Sequence, residues 1–163
     1  MLVLDIDGVL TDGGLYYDQN GLVSQRFHVH DGFGLKIARE AGLSLAIVTG
    51  RSSPAATARV KDLGVEHYYS GYVDKAAAMN LLRKNLGINF DQMAFLGDDW
   101  LDAPAMRLVS LPMAVANARP EILKLAAWVS SVPGGLGAVR EAVEFLLSSQ
   151  GLLDEQLRRF SLL

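Results

Sequence analysis

Cysteine is absent from the 163-residue chain, which excludes disulfides and thiolate metal sites. A strong charge of either sign is lacking too. The formal net charge is -3, so no electrostatic case exists for nucleic acid as the main partner. That balance leaves phosphorylated small molecules open, because local cations and a metal decide their binding. No apolar run approaches the ~18 residues of a membrane span, so no membrane partner is expected. The opening MLVLDIDG meets a carboxylate at Asp5, so no secretory leader is expected. Repeats, low-complexity tracts and interdomain linkers are missing as well. What is present is 50% apolar and 20% charged, the balance of a globular chain long enough to bury a core. The expectation is one soluble domain over residues 1–163. The lack of cysteine fits a reducing cytoplasm.

Short apolar runs alternate with segments of helical period. LVLD (2–5), SLAIVTG (44–50), HYYSG (67–71), MAFLGD (93–98) and LPMAVAN (111–117) read as strands. Their runs are continuous rather than alternating, as in strands covered on both faces. Helices are predicted near 31–41, 53–63, 74–86, 100–108, 120–126 and 137–149. Pro54 and Pro120 suit first turns, and Gly42, Gly64 and Gly87 suit left-handed C-caps. Such alternation predicts an α/β fold, a doubly wound parallel sheet with helices on both sides. One segment, LYYDQNGLVSQRFHV (15–29), is β-rich around Asn20-Gly21 and reads as a projecting hairpin. The tail, 150–163, is amphipathic and set apart by Gly151.

The polar residues fall at the strand ends. Asp5 and Asp7 close the first predicted strand, Thr49 the second, and Asp98 and Asp99 the fourth, while Lys75 opens the helix after the third. In an open parallel sheet all of these collect at one edge, where ligands bind. Gathered carboxylates repel unless a cation sits among them, and oxygen donors without cysteine or a clear histidine pair favour Mg2+ over zinc. A calcium loop does not account for Asp5 and Asp7, since Val9 and Leu10 stand where an EF-hand needs a ligand and a glycine.

Taken in order, DIDGVLTD (5–12), TGR (49–51), Lys75 and GDDWLD (97–102) resemble the four motifs of the haloacid-dehalogenase superfamily. DGGLYYDQNG, HDGFGLK (30–36) and GGLGAVRE (134–141) extend the resemblance to the 3-deoxy-D-manno-octulosonate 8-phosphate phosphatases, across essentially the whole chain. The resemblance implies an aspartyl-phosphate mechanism with Asp5 as nucleophile and Asp7 as proton donor and later base. It implies magnesium held by Asp5, the Asp7 main-chain carbonyl and Asp98, with Asp99 and Asp102 orienting metal waters or Lys75. Thr49, Gly50 and nearby N–H groups would hold the phosphoryl oxygens, Lys75 would offset charge, and Arg51 would pair with a substrate carboxylate. It further implies a homotetramer assembled through the hairpins. The expected substrate is a phosphorylated eight-carbon sugar acid; a nine-carbon 9-phosphate and a non-catalytic assembly module are the alternatives.

Other residues read less sharply. Asp31 and Gly32 either aim backbone N–H groups at an anionic substrate or form a plain N-cap. Arg140 is either a substrate contact or a structural ion pair. His28 and His30 read as an exposed or subunit-facing polar stripe rather than metal ligands. About 44 residues separate Asp5 from Thr49 and about 26 separate Thr49 from Lys75, too few for a cap domain of ~50 residues. An open site is therefore expected, with the tail as either a lid or a frayed terminus.

Overall fold

A computed structural model describes residues 1–163. Its main sheet has six parallel strands: β1 (Leu2–Leu4), β4 (Leu45–Thr49), β5 (His67–Ser70), β6 (Ala94–Gly97), β7 (Leu111–Ala114) and β8 (Trp128–Val129). Their spatial order is β5-β4-β1-β6-β7-β8. The chain moves outward from β1 to one edge, then returns to β1's other side and continues to the opposite edge. The direction reverses between β1 and β6, which opens a crevice at the carboxyl ends of those two strands.

The five long runs read as strands all lie in this sheet, each trimmed by a residue or more. β1, β4 and β6 are buried at every position, which explains their unbroken apolar sequence. β8 was not expected, because two residues carry too little pattern to read.

Helix α1 (Val29–Glu40) packs against α6 (Ala138–Ser149) and touches α2 (Pro54–Leu63). Helix α3 (Lys75–Leu86) touches α4 (Ala103–Met106), which touches α5 (Pro120–Leu125). These two groups form the covering layers, with Phe95, Leu96, Ile47 and Leu4 at the centre of one apolar core. Pro54 and Pro120 open their helices, and Gly64 and Gly87 cap theirs at φ 66° and 65°. The predicted helix at 100–108 is instead a 3-10 turn (Trp100–Asp102) followed by the short α4.

The hairpin is much smaller than 15–29. Only β2 (Tyr16–Tyr17) and β3 (Val23–Ser24) pair, with an isolated Thr11–Phe27 bridge behind them. Asn20-Gly21 does not make a two-residue turn, because the Asp18 carboxylate accepts from both Asn20 N and Leu22 N and builds a wider loop. The tail carries a helix, α7 (Leu153–Arg159). It lies on α1 and α6, with Phe160 edge-on to Phe33 and Arg159 paired to Glu40 at 2.9 Å, and does not cover its own chain's crevice.

Candidate active site

The crevice is built from strand exits. Asp5 leaves β1 with its backbone N–H donating to Leu96 O on β6, so it stands beside Asp98, the residue after β6. Thr49 ends β4 and is buried. Lys75 is the first residue of α3, whose N-terminus is capped by the Asp74 carboxylate accepting from Ala77 N at 3.0 Å. These residues line a cavity of about 440 Å³ together with Asp7, Gly50, Arg51, Val73, Asp99, Leu101 and Asp102.

Two glycine positions let the walls close. Gly8 has φ +90°, and a Cβ there would stand 2.1 Å from Asp98 Oδ2. Gly134 lies against the same turn from outside, where a Cβ would fall 1.7 Å from Gly8 O. No side chain fits at either point. Thr11 knits the turn from within, accepting from Gly8 N and Gly13 N and donating to Ile6 O.

Lys75 is only 2% exposed and lies between two carboxylates. Its Nζ is 2.9 Å from Asp5 Oδ1 and donates to Asp102 Oδ1. Burial works against the ammonium, but the Asp5 and Asp102 charges outweigh it and hold the pKa above its ordinary value. Asp102 has no free oxygen left: Oδ2 accepts from Asp98 N at 2.8 Å and Asp99 N at 3.2 Å. It therefore braces Lys75 and the Asp98-Asp99 turn together. Asp99 is exposed and its Oδ1 accepts from its neighbour Trp100 N.

Asp5 and Asp98 differ from Asp102 in having oxygens without hydrogen-bond partners. Asp98 Oδ1 is buried and unpartnered; Asp5 Oδ1 touches only Lys75, in ion-pair contact but off the hydrogen-bonding directions. Burial, reinforced by Asp102, pushes Asp5 up to about 7 and Asp98 up to about 8. Carboxylate oxygens of Asp5, Asp98 and Asp102 lie within 4.8 Å of one another. Of the three, the unsatisfied Asp5 and Asp98 oxygens fit a hard divalent cation; Asp102 is already fully hydrogen-bonded.

Asp7 sits at the rim. Its Oδ1 accepts from Gln25 Nε2 and its Oδ2 lies 3.4 Å from Arg51 Nε. Sequence reasoning missed Gln25, which belongs to the hairpin's return and carries no motif. The Thr49 Oγ1 accepts from Arg51 N, closing the turn after β4.

Asp31 and Gly32 do not line this cavity. The buried Asp31 carboxylate accepts from Gly137 N and Arg140 N and so caps α6; burial raises its pKa against these bonds. Gly32 is pressed against the Arg59 guanidinium. Arg140 pairs with Glu144, the structural alternative. His28 and His30 meet edge-on at 5.0 Å, away from the cavity.

Similarity to known proteins follows the same residues. Residues 69–134 match the family described as haloacid dehalogenase-like hydrolase. The 3-deoxy-D-manno-octulosonate 8-phosphate phosphatase KdsC of Escherichia coli K12 is 41% identical over 155 residues, 95% of this chain and 82% of that protein. The phosphatase of that name from Moraxella catarrhalis, solved with magnesium, phosphate and KDO, superposes with a TM-score of 0.95 at 36% identity, over 98% of this chain and 91% of that one. The cobalt-bound phosphatase from Haemophilus influenzae gives a TM-score of 0.90 at 39% identity, over 93% and 89%. With the motif carboxylates, Lys75 and Thr49 converging on one crevice of a haloacid dehalogenase-like fold, the chain belongs to the 3-deoxy-D-manno-octulosonate 8-phosphate phosphatase family.

Proposed function

We propose that this chain hydrolyses 3-deoxy-D-manno-octulosonate 8-phosphate to the free sugar acid and phosphate, with Asp5 as nucleophile and magnesium as cofactor. The observation that carries the reading is the buried Asp5 Oδ1, without a hydrogen-bond partner beside the Lys75 ammonium, on a carboxylate with an oxygen within 4.8 Å of one from Asp98. Asp5, Asp98 and the Asp7 main-chain carbonyl would hold the cation, which would neutralise charge between nucleophile and phosphate. Asp5 attacks phosphorus, the bond to the C8 oxygen breaks, and Asp7 gives that oxygen a proton. Water, deprotonated by Asp7, then attacks the aspartyl phosphate and restores Asp5. Thr49 Oγ1 and the backbone N–H of Gly50 hold the phosphoryl oxygens, while Lys75 stabilises their charge. Arg51, partly exposed at the rim, is placed to meet the sugar carboxylate.

The protein works as a homotetramer in the cytoplasm on this reading. Tyr16, Tyr17 and Leu22 on the small hairpin are 57%, 63% and 66% exposed, an apolar surface suited to another subunit. No helix is long and apolar enough to cross a membrane.

A magnesium-dependent phosphate-release screen over sugar phosphates tests the reading. Highest kcat/KM is expected with the octulosonate 8-phosphate, and Asp5→Asn should abolish turnover. Preference for a nine-carbon 9-phosphate would replace the substrate and keep the chemistry; no turnover of any phosphate ester would leave an assembly module.

A further inference from the structure

The rim carboxylate Asp7 is 30% exposed at its side chain, yet a proton donor must stand within hydrogen-bond reach of the leaving oxygen, about 2.6–3.2 Å. A partly exposed aspartate on a turn explores several rotamers unless something holds it. Two groups touch Asp7, and they differ in grip. Arg51 is 44% exposed and its Nε stands 3.4 Å from Oδ2, a loose surface contact of little energetic weight. Gln25 is anchored at both ends of its amide. Its Nε2 donates to Asp7 Oδ1 at 2.5 Å, and its Oε1 accepts from Ser53 Oγ at 2.8 Å.

The direction of this chain of hydrogen bonds is fixed by elimination. Ser53 is buried and caps α2, with Oγ accepting from Ala56 N. Its single hydroxyl proton goes to Gln25 Oε1. The ionised Asp7 carboxylate can only accept, so the amide nitrogen faces Asp7 and Oε1 is left to take the Ser53 proton. The assignment is self-consistent in one sense only. It runs from the first turn of α2, through the residue that follows β3, to the turn after β1.

We propose that Gln25 is a positioning residue for Asp7: through Ser53 it fixes Oδ1, which leaves Oδ2 as the oxygen that carries the transferred proton. This rests on Asp7 being the proton donor. It adds a role for the hairpin that lies within its own subunit, distinct from any contact with a neighbour.

The consequence depends on the leaving group. A sugar alkoxide cannot depart without a proton, whereas nitrophenolate can. Loss of Gln25 therefore strikes alkyl esters and spares aryl esters, a split that a general loss of folding does not produce. The experiment compares kcat/KM for the octulosonate 8-phosphate and 4-nitrophenyl phosphate, with magnesium saturating. Gln25→Ala is expected to lower the alkyl value about tenfold or more, part of the 10²–10⁴ that general-acid catalysis supplies, and the aryl value less than about threefold. Gln25→Glu keeps the shape but removes the donor, and should show the same split. Ser53→Ala should show it more weakly. On an Asp7→Asn background, Gln25→Ala should add nothing. Equal losses on both esters, or no loss, overturn the proposal. If Asp7→Asn produces no split, the proton-donor role of Asp7 falls and this inference with it. A split with Asp7→Asn but none with Gln25→Ala refutes Gln25 alone.

Discussion

Stripped of divalent cations, the folded chain holds protons on Asp5 and Asp98 that the unfolded chain releases. Both carboxyls rise from 3.8, Asp5 to about 7 and Asp98 to about 8, mainly through burial. A raised folded pKa stabilises the fold below the unfolded value, and this stability is lost as pH climbs through the folded values. The window is therefore roughly pH 4 to 8. Each extra proton held in the fold tilts stability by about 1.4 kcal/mol per pH unit, so two give at most about 2.7. Asp98 is partly exposed, so water screening draws its folded pKa down and narrows its window, which leaves an average of about 2 kcal/mol per pH unit across pH 5 to 8. For a chain of this size that corresponds to about 4–8 °C in Tm per pH unit. Bound magnesium removes those protons in the fold, so the slope should flatten and the magnesium-induced rise in Tm should grow with pH. The assay is a melting series from pH 5 to pH 8, in chelator and in excess magnesium, with Asp98→Asn expected to lose part of the chelator slope. A chelated protein whose Tm is level over that range refutes the reasoning, as does a magnesium shift independent of pH.

Three further outcomes follow from the geometry. Lys75→Met should lower kcat at least about 100-fold, and it leaves Asp5 and Asp102 without their shared cation, at a cost of about 3–5 kcal/mol in urea unfolding. Asp31→Ala should cost about 1–3 kcal/mol by uncapping α6, while kcat/KM stays within about twofold of wild type; a selective KM defect would return Asp31 to the substrate. Gly134→Ala must part the backbone from Gly8 and should cost about 3 kcal/mol or more, read as a fall in Tm together with kcat.

The sheet was legible because strands covered on both faces cannot mix polar residues into their runs, and each motif carboxylate stands where such a run stops. Asp5, Thr49, Lys75 and Asp98 therefore met in the crevice as their positions implied. Asp31 illustrates the limit: an acidic residue at a helix start caps a helix equally well, and the one it caps, α6, lies far along the sequence. Gln25 and Ser53 could not be read at all. Their significance is a pair of side-chain bonds across the fold, and neither spacing nor periodicity encodes which way a glutamine points. The hairpin was overestimated because Asn20-Gly21 signals a tight turn only when no nearby carboxylate competes, and Asp18 does.

The placement of β1 bears on the order in which the protein comes to life on the ribosome. The strand that leads into the nucleophile emerges before the rest of its sheet, but one of its two sheet neighbours is residues 94–96, and the turn after it is pressed closed by Gly134. Until β6 has left the exit tunnel Asp5 has no Asp98 opposite it, and until the later Gly134 loop follows, the Asp7–Gly8 turn has no outer wall. Contacts of such sequence separation form slowly and late. A ribosome-bound fragment ending before the α6 segment should therefore bind no magnesium and release no phosphate, so the hydrolytic activity is withheld from incomplete chains by topology alone.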